Sequence, residues 1–517
     1  MRARKSAAAL TDTHRHMQKS YLDTTTQGQR RFPEESSFVP ITGGYRVLLT
    51  AYILLYSVFI PALMEILYGS IVPLGEWRFV ADVAYQLLLF LPILYYRPDY
   101  GWLHPLLFIP LFGLARSLLQ SPAQLLAPLF ILDKSPAQEM AHIALPAWGQ
   151  EALAWAALKA KLISMTALAL YYVGFFFGPR LRIPRLAFPN PRSVVPKVVT
   201  VVVISTVVFL VYIRSEGGLT AHMGSWRQGR FIALEGDGPI FVMIKSGIVA
   251  ILVWFSLDNT AYRNPLFWVV ALFNVPAIFF ASGSRSAVLY AVVLYLMIWL
   301  LRYRKLPQGR LMAMGVGALI LLGVLGALRA STSKGEVAWT VLTDFDPMTS
   351  LQAGNEEVSR RSAEDGYLPV VAKVPDEVDF LYGRSYVGSL LFFVPRALWR
   401  EKPRGAGAMN GELIFGRVTG GIPPGAVGEA YWNFSIPGVV AIFFLYGVFH
   451  QWLARTYTQY AHVPAFWVLY VITLFIFSPA GVSMVNYLHH IIPATALLCW
   501  IGALSFNKRK ASRYVFA

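Results

Sequence analysis

Residues 239–257 read PIFVMIKSGIVAILVWFSL, with Lys245 as their one charge. At ~1.5 Å per residue such a run makes a helix about 28 Å long, the depth of a ~30 Å hydrocarbon core. Comparable runs lie at 45–67, 78–96, 102–120, 152–178, 196–213, 262–281, 286–303, 311–328, 436–455, 463–481 and 485–505. A lipid-exposed backbone must satisfy its own hydrogen bonds, so these runs are helices. The ~10-residue alternation of a membrane β-barrel is absent. Composition agrees: of 517 residues, 56% are hydrophobic and 14% charged, against ~25% charged in soluble domains. The expected fold is an all-α polytopic membrane protein with about twelve transmembrane helices. The segment 123–132 (AQLLAPLFIL) is too short to cross and reads as interfacial or re-entrant.

Orientation follows from lysine and arginine. Arg180, Arg182, Arg185, Arg192 and Lys197 crowd one loop, and Arg302, Arg304, Lys305 and Arg310 another. The ends carry Arg2, Arg4, Lys5, Arg30 and Arg31, then Lys508, Arg509, Lys510 and Arg513. An even number of spans puts all four groups, and both termini, in the cytoplasm. The net charge of +17 is then met by positive-inside loops and anionic membrane lipid, and calls for no nucleic acid. The domain plan is a polar cytoplasmic tail (1–44, without the apolar core of a signal peptide), spans one to nine (45–328), a large outer loop (329–435), spans ten to twelve (436–505) and a cytoplasmic tail (506–517). Cys499 is the one cysteine, so no internal disulfide is possible.

The outer loop divides in two. To about residue 380 it is acidic, with Asp344, Asp346, Glu356, Glu357, Glu364, Asp365, Asp376, Glu377 and Asp379. Residues 382–432 (YGRSYVGSLLFFVPRALWREKPRGAGAMNGELIFGRVTGGIPPGAVGEAYW) are cationic, aromatic and broken by glycine and proline. Within them Gly388–Leu398 is apolar but too short to span, and is expected to lie against the membrane. Positive charge outside needs a reason other than orientation. Arg396, Arg400 and Arg404 are spaced by four and would share one face of a helix, although Pro403 and the glycines after it interrupt one. Arginine suits diphosphate because its planar fork binds oxygens in pairs and keeps its charge. The other reading of each arginine is a surface charge.

Three further features carry candidate chemistry. Ser282–Ser286 (SGSRS) sets Arg285 at a helix start, where backbone N–H groups and the dipole favour phosphate. Alternatively, Arg285 snorkels to lipid head groups. The loop 214–239 places Arg227 and Arg230 outside, either as a substrate-binding lid or as a solvated loop. Glu429, in GEAYWNF, lies among apolar residues at the start of span ten, where burial suits a general base; it could equally pair with an arginine. His489 and His490 lie early in span twelve as alternative bases. Adjacent histidines on a helix point about 100° apart, so they do not form a metal site. Asp344-x-Asp346 resembles a metal motif only superficially. No nucleotide fingerprint, Walker loop or CxxC is present, and no metal or cofactor is expected.

The span count, the SGSRS arginine and the segments VPRALWREKPRG (394–405) and GAVGEAYWNFSIPG (425–438) together resemble the Wzy-type O-antigen and exopolysaccharide repeat-unit polymerases. The resemblance implies a glycosyltransferase C-like fold, related to O-antigen ligases, in the bacterial inner membrane with the site facing the periplasm. It implies glycans linked through diphosphate to undecaprenyl lipid as both substrates, metal-independent transfer to the non-reducing end of the next unit, and a Wzz-type chain-length regulator as partner. On this reading Arg285, Arg396, Arg400 and Arg404, with Arg227 and Arg230, bind diphosphate or substrate. Glu429, or His489 or His490, accepts the proton of the acceptor hydroxyl. The competing readings are a ligase that uses lipid A core and, in a different class, a lipid-linked glycan flippase.

Overall fold

The computed structural model describes residues 38–506 except 69–73, 98–99, 120–144, 146–148, 227–237, 307–308, 310–315, 318–319, 322, 329–345, 351–365, 395–397, 417–420 and 478–483. The described chain is helical, with two isolated β-bridges, Pro40 to Gly101 and Ala187 to Ser505. In order the helices are α1 (Gly43–Leu54), a π-helical turn (Leu55–Phe59), α2 (Ile60–Tyr68), α3 (Gly75–Leu94), α4 (Pro105–Leu119), α5 (Gln150–Phe177), α6 (Val194–Ser215), α7 (Leu219–Ser225), α8 (Gly238–Leu257), α9 (Pro265–Ser282), α10 (Arg285–Tyr303), α11 (Tyr367–Lys373), α12 (Arg384–Leu390), α13 (Ala406–Leu413), α14 (Gly425–Tyr460), α15 (Pro464–Ile476) and α16 (Met484–Ile501).

Eight of the described helices are long and apolar enough to cross a membrane, and 105–114, 288–303 and 464–476 are shorter apolar helices. Of the expected span at 311–328, residues 316–317, 320–321 and 323–328 are described and helical, and 123–132 lies wholly outside the described residues. The protein is a polytopic helical membrane protein.

The stretch 239–257 forms the central helix. α8 is apolar all round, as a helix enclosed by others must be, and α6, α9, α10, α15 and α16 pack about it. Gly247 makes room for a buried polar contact between its neighbours. Ser205 on α6 donates to the Ile244 carbonyl (2.7 Å) and reaches Asn274 Oδ1 on α9 (3.4 Å). A Cβ at Gly247 would stand 2.7 Å from the Ser205 hydroxyl. A second close seam joins α5 to α14. There Gly174 and Gly447 bring the backbones together, and a Cβ on either would collide with the carbonyl oxygen of Phe444 or Tyr171. Membrane helices use small residues in this way, since their association depends on close packing.

One end of the bundle gathers the basic loops. Tyr460 donates to the Pro184 carbonyl (2.7 Å) and Trp452 to that of Arg182 (3.1 Å), and Ala187 pairs with Ser505. Arg304 donates to the Phe38 carbonyl (3.2 Å), and the Phe38 ring stacks on Tyr457. Arg302 closes the end of α8 by donating to the carbonyls of Ser256 (2.5 Å) and Asp258 (2.9 Å), which serves the exposed acceptors of a helix C-terminus.

Just beyond α8, burial alone would raise the Asp258 carboxyl. The Thr260 amide and hydroxyl, the Trp254 indole and the charge of Arg302 outweigh burial and hold it below the ordinary carboxylate range. A carboxyl held low in the folded state contributes stability above its unfolded pKa of ~3.9 and loses it as pH falls through the lower value. Asp258→Asn is therefore expected to cost about 1 kcal/mol at neutral pH, a charged hydrogen bond discounted for exposure. The cost should shrink below about pH 4. Melting of purified protein across that range measures it.

At the opposite end α11, α12 and α13 form a cap. Twenty-eight residues make α5 about 42 Å long, more than the ~30 Å core requires. Its N-terminal part carries the cap: Tyr367 donates to the Ala160 carbonyl (2.8 Å) and Lys159 to that of Val371 (3.4 Å). Asn410 ties the cap together by donating to the carbonyls of Gly366 (3.0 Å) and Ile422 (2.8 Å). Of the charges that the sequence sets within spans, Lys161 pairs with Asp82 at 2.8 Å.

Candidate functional site

The site grows from a break in α14. Helical geometry fails at Phe434 (φ −145°, ψ 21°) and Ser435 (φ 57°, ψ −153°), so 425–433 and 436–460 are two helices in series. Pro437 has no N–H for the carbonyl four residues back, that of Asn433. The freed carbonyls are taken by another segment: Leu381 N–H donates to Trp432 (2.9 Å) and Tyr382 N–H to Asn433 (3.1 Å). The Trp432 indole donates to the Asp379 carbonyl (3.1 Å) and the Tyr431 hydroxyl to that of Val374 (3.2 Å). Residues 374–383 are thus clipped along the short helix. Ser435 occupies a region that glycine normally fills, at a cost of order 1–3 kcal/mol.

This clip sets α12 against Glu429. The Ser385 hydroxyl donates to Glu429 Oε1 (2.7 Å). The Asn433 amide nitrogen donates to Ser385 Oγ (2.8 Å) and to the Glu429 carbonyl (2.7 Å), and Asn433 Oδ1 accepts from the Gly383 N–H (2.9 Å). Because an ionised carboxylate can only accept and the Asn433 amide nitrogen donates to Ser385 Oγ, the Ser385 proton points at the carboxylate. Burial pushes the Tyr386 phenol up, and the charge of Glu429 adds to that shift. Tyr446 is also close enough to feel that charge. Among the described residues Glu429 forms no ion pair, and the partner its carboxylate has there is the Ser385 hydroxyl. It is a positioned carboxylate with one oxygen anchored, an arrangement that can accept a proton.

A second polar cluster lies on the other side of α12, which packs against both α14 and α16. Lys245 of the central helix donates to Asn486 Oδ1 (2.8 Å) and lies 3.2 Å from His489 Nδ1. The Phe392 ring meets the His489 imidazole edge-on at 5.0 Å. His490 bonds through Nδ1 to the Asn486 carbonyl at 2.7 Å. The two histidines diverge as expected, and each has its own partner.

The arginines fare differently. α12 ends at Leu390, and 398–405 are turns and irregular chain, so Arg400 and Arg404 do not share a helical face. Lys402 explains the turn: its ammonium donates to the carbonyls of Phe392 (2.8 Å) and Val394 (3.1 Å), while Pro403 packs on Gly388. Arg404 pairs with Glu412 at 2.9 Å. Arg400 is exposed. Arg227, Arg230 and Arg396 lie outside the described residues. Arg285 is the first residue of α10, and its backbone alone is described. Gly283, left-handed at φ 61°, ends α9 before it, and the Trp226 ring packs over that glycine. Ser282 donates to the Ile278 carbonyl and accepts the Ser284 N–H, so its hydroxyl serves the turn. Asp346 likewise has a structural use, accepting from the amides of Met348 (3.2 Å) and Thr349 (2.9 Å).

Sequence reasoning did not find Ser385, Tyr386, Asn433 or Asn486. Two signals were available. Asn433 follows Glu429 by four, and Asn486 precedes His489 by three, so each pair shares a helix face. Nothing in the spacing joins Ser385 to Glu429. No family model matches the chain, no curated protein matches it, and no solved structure matches it.

Proposed function

We propose that the protein is a glycan polymerase of the bacterial inner membrane. It transfers a growing undecaprenyl-diphosphate-linked chain to the non-reducing end of a lipid-linked repeat unit. The observation that carries the reading is Glu429, a half-buried carboxylate oriented by Ser385 at the end of the bundle opposite the basic loops. By the positive-inside rule that end faces the periplasm. An acceptor hydroxyl is a poor nucleophile until a base takes its proton, and Glu429 is assigned that role. The departing diphosphate gains charge, which Arg285, Arg396 and Arg400 are assigned to stabilise. About twelve spans and a glycosyltransferase C-like fold belong to the same proposal, as does a Wzz-type partner.

Purified protein in liposomes, given lipid-linked repeat units alone, is expected to form a ladder of polymer. A ligase would need lipid A core, and failure to build a ladder without it would overturn the polymerase reading. Lys245 inside the bundle favours a second reading, a flippase, since transporters carry charge there; movement of the lipid-linked unit between leaflets without polymer would select it. Within the polymerase reading, Arg285→Ala combined with Arg400→Ala is expected to lower polymer yield by about 100-fold or more. Arg404→Ala should lower it far less, because Glu412 already neutralises that charge. Wild-type yield from the double variant would remove the diphosphate assignment.

A further inference from the structure

An ammonium has three donors and no acceptor. Lys245 therefore donates to whatever it bonds, and its 3.2 Å contact with His489 Nδ1 occupies the lone pair of that nitrogen. In a neutral imidazole the proton must then sit on the other nitrogen. His489 Nε2 is consequently a donor. It is also buried and has no hydrogen-bond partner among the described residues, in a residue that is only 5% exposed. An orphaned buried donor is costly and rare, and its natural complement is an acceptor oxygen. His490 takes the opposite tautomer. Its Nδ1 meets the Asn486 carbonyl, which can only accept, so that nitrogen carries the proton. The two adjacent imidazoles thus differ in which nitrogen is the donor, and Lys245 makes the difference at His489.

We infer that Lys245 and His489 form a site for a phosphoryl oxygen, in which Lys245 holds the His489 proton on Nε2 and that N–H receives the oxygen. The cluster lies at the correct depth. Lys245 is seven residues into α8, about 10 Å from its end, and His489 is five into α16, about 8 Å. A polar lipid head group at the interface is within that reach. Phe392 forms the wall beside His489, and its carbonyl accepts from Lys402. Lys245 is a positioning residue here as well as a charge, and His489 is a donor and not a base. The choice of a diphosphate as the ligand rests on the polymerase reading. The oxygen chemistry does not, since the phosphate of an ordinary phospholipid would satisfy the same donors.

The test measures binding of two probes, undecaprenyl diphosphate and phosphatidylglycerol, to purified full-length protein in detergent. Lys245→Met and His489→Asn are each expected to weaken binding of one probe by about 10-fold or more, the loss of a charge-assisted hydrogen bond. His489→Gln, whose amide reaches the Nε2 position, is expected to retain it. Whichever probe responds identifies the source of the phosphoryl group. Binding unchanged in Lys245→Met and His489→Asn would overturn the site, as would equal losses in His489→Asn and His489→Gln. Melting without probe checks each fold, and His489→Gln against His489→Asn remains decisive if Lys245→Met is unstable. If the variants leave binding unchanged while wild type still builds ladders, the site fails and the polymerase reading stands. If binding changes as expected but no ladder forms, the site stands and the polymerase reading fails.

Discussion

Glu429→Gln is expected to slow polymer formation by about 10²–10⁴-fold, the usual contribution of a positioned base, while leaving the fold intact. The geometry separates the two effects. The Ser385 hydroxyl donates to Oε1 of Glu429 and is itself held by Asn433. A glutamine with its carbonyl oxygen at that position keeps the whole network and loses only the ability to take a proton. Ser385→Ala is the complementary change. It keeps the carboxylate but removes the hydroxyl that orients it, so the expected loss is about 10-fold, one charged hydrogen bond. Ladder growth in liposomes measures both, and apparent melting temperature shows whether the protein still folds. A full rate in Glu429→Gln would remove the carboxylate from the mechanism. A loss in Ser385→Ala as deep as in Glu429→Gln would mean that orientation carries the whole effect.

The second large effect is structural. Gly447→Val is expected to cost about 3 kcal/mol or more, the upper range for overpacking, because the new side chain would meet backbone. At Gly447 the added carbon collides with the Tyr171 carbonyl, and at Gly174 with that of Phe444. Neither carbonyl can move without shifting a whole helix. This seam also aligns α5 with α14, and α5 supports the cap that holds 366–383 beside Glu429. Gly174→Val should therefore fail in the same way, with loss of the monodisperse protein on purification. Gly149→Ala, which has open space around it, is the control and should behave as wild type. Wild-type melting in Gly447→Val would contradict the close packing.

Much of the fold was legible because one signal, apolar length, sets both where a helix forms and that it crosses lipid. The starts of α5, α6, α8 and α10 fall within two residues of the runs read from sequence. The basic loops, scattered along the chain, do meet at one end. The sequence said less where the chain leaves the bundle. The four-residue spacing of Arg396, Arg400 and Arg404 suggested a shared face, but Lys402 and Pro403 fold that stretch into turns. Arg404, assigned to diphosphate or substrate, also pairs with Glu412. Glu429, weighed both as a base and as a partner for an arginine, accepts from Ser385, which no local spacing showed.

Hydropathy is a property of each segment, so a single chain states where its apolar helices run and which loops collect charge. Partnership is a property of pairs. Ser385 and Glu429 are 44 residues apart, and Lys245 and His489 are 244. No local pattern encodes either distance. Those contacts exist because α12 is held between α14 and α16 and because α8 runs through the centre of the bundle. Tertiary packing alone decides which buried polar groups face one another, and through them which nitrogen of His489 carries its proton.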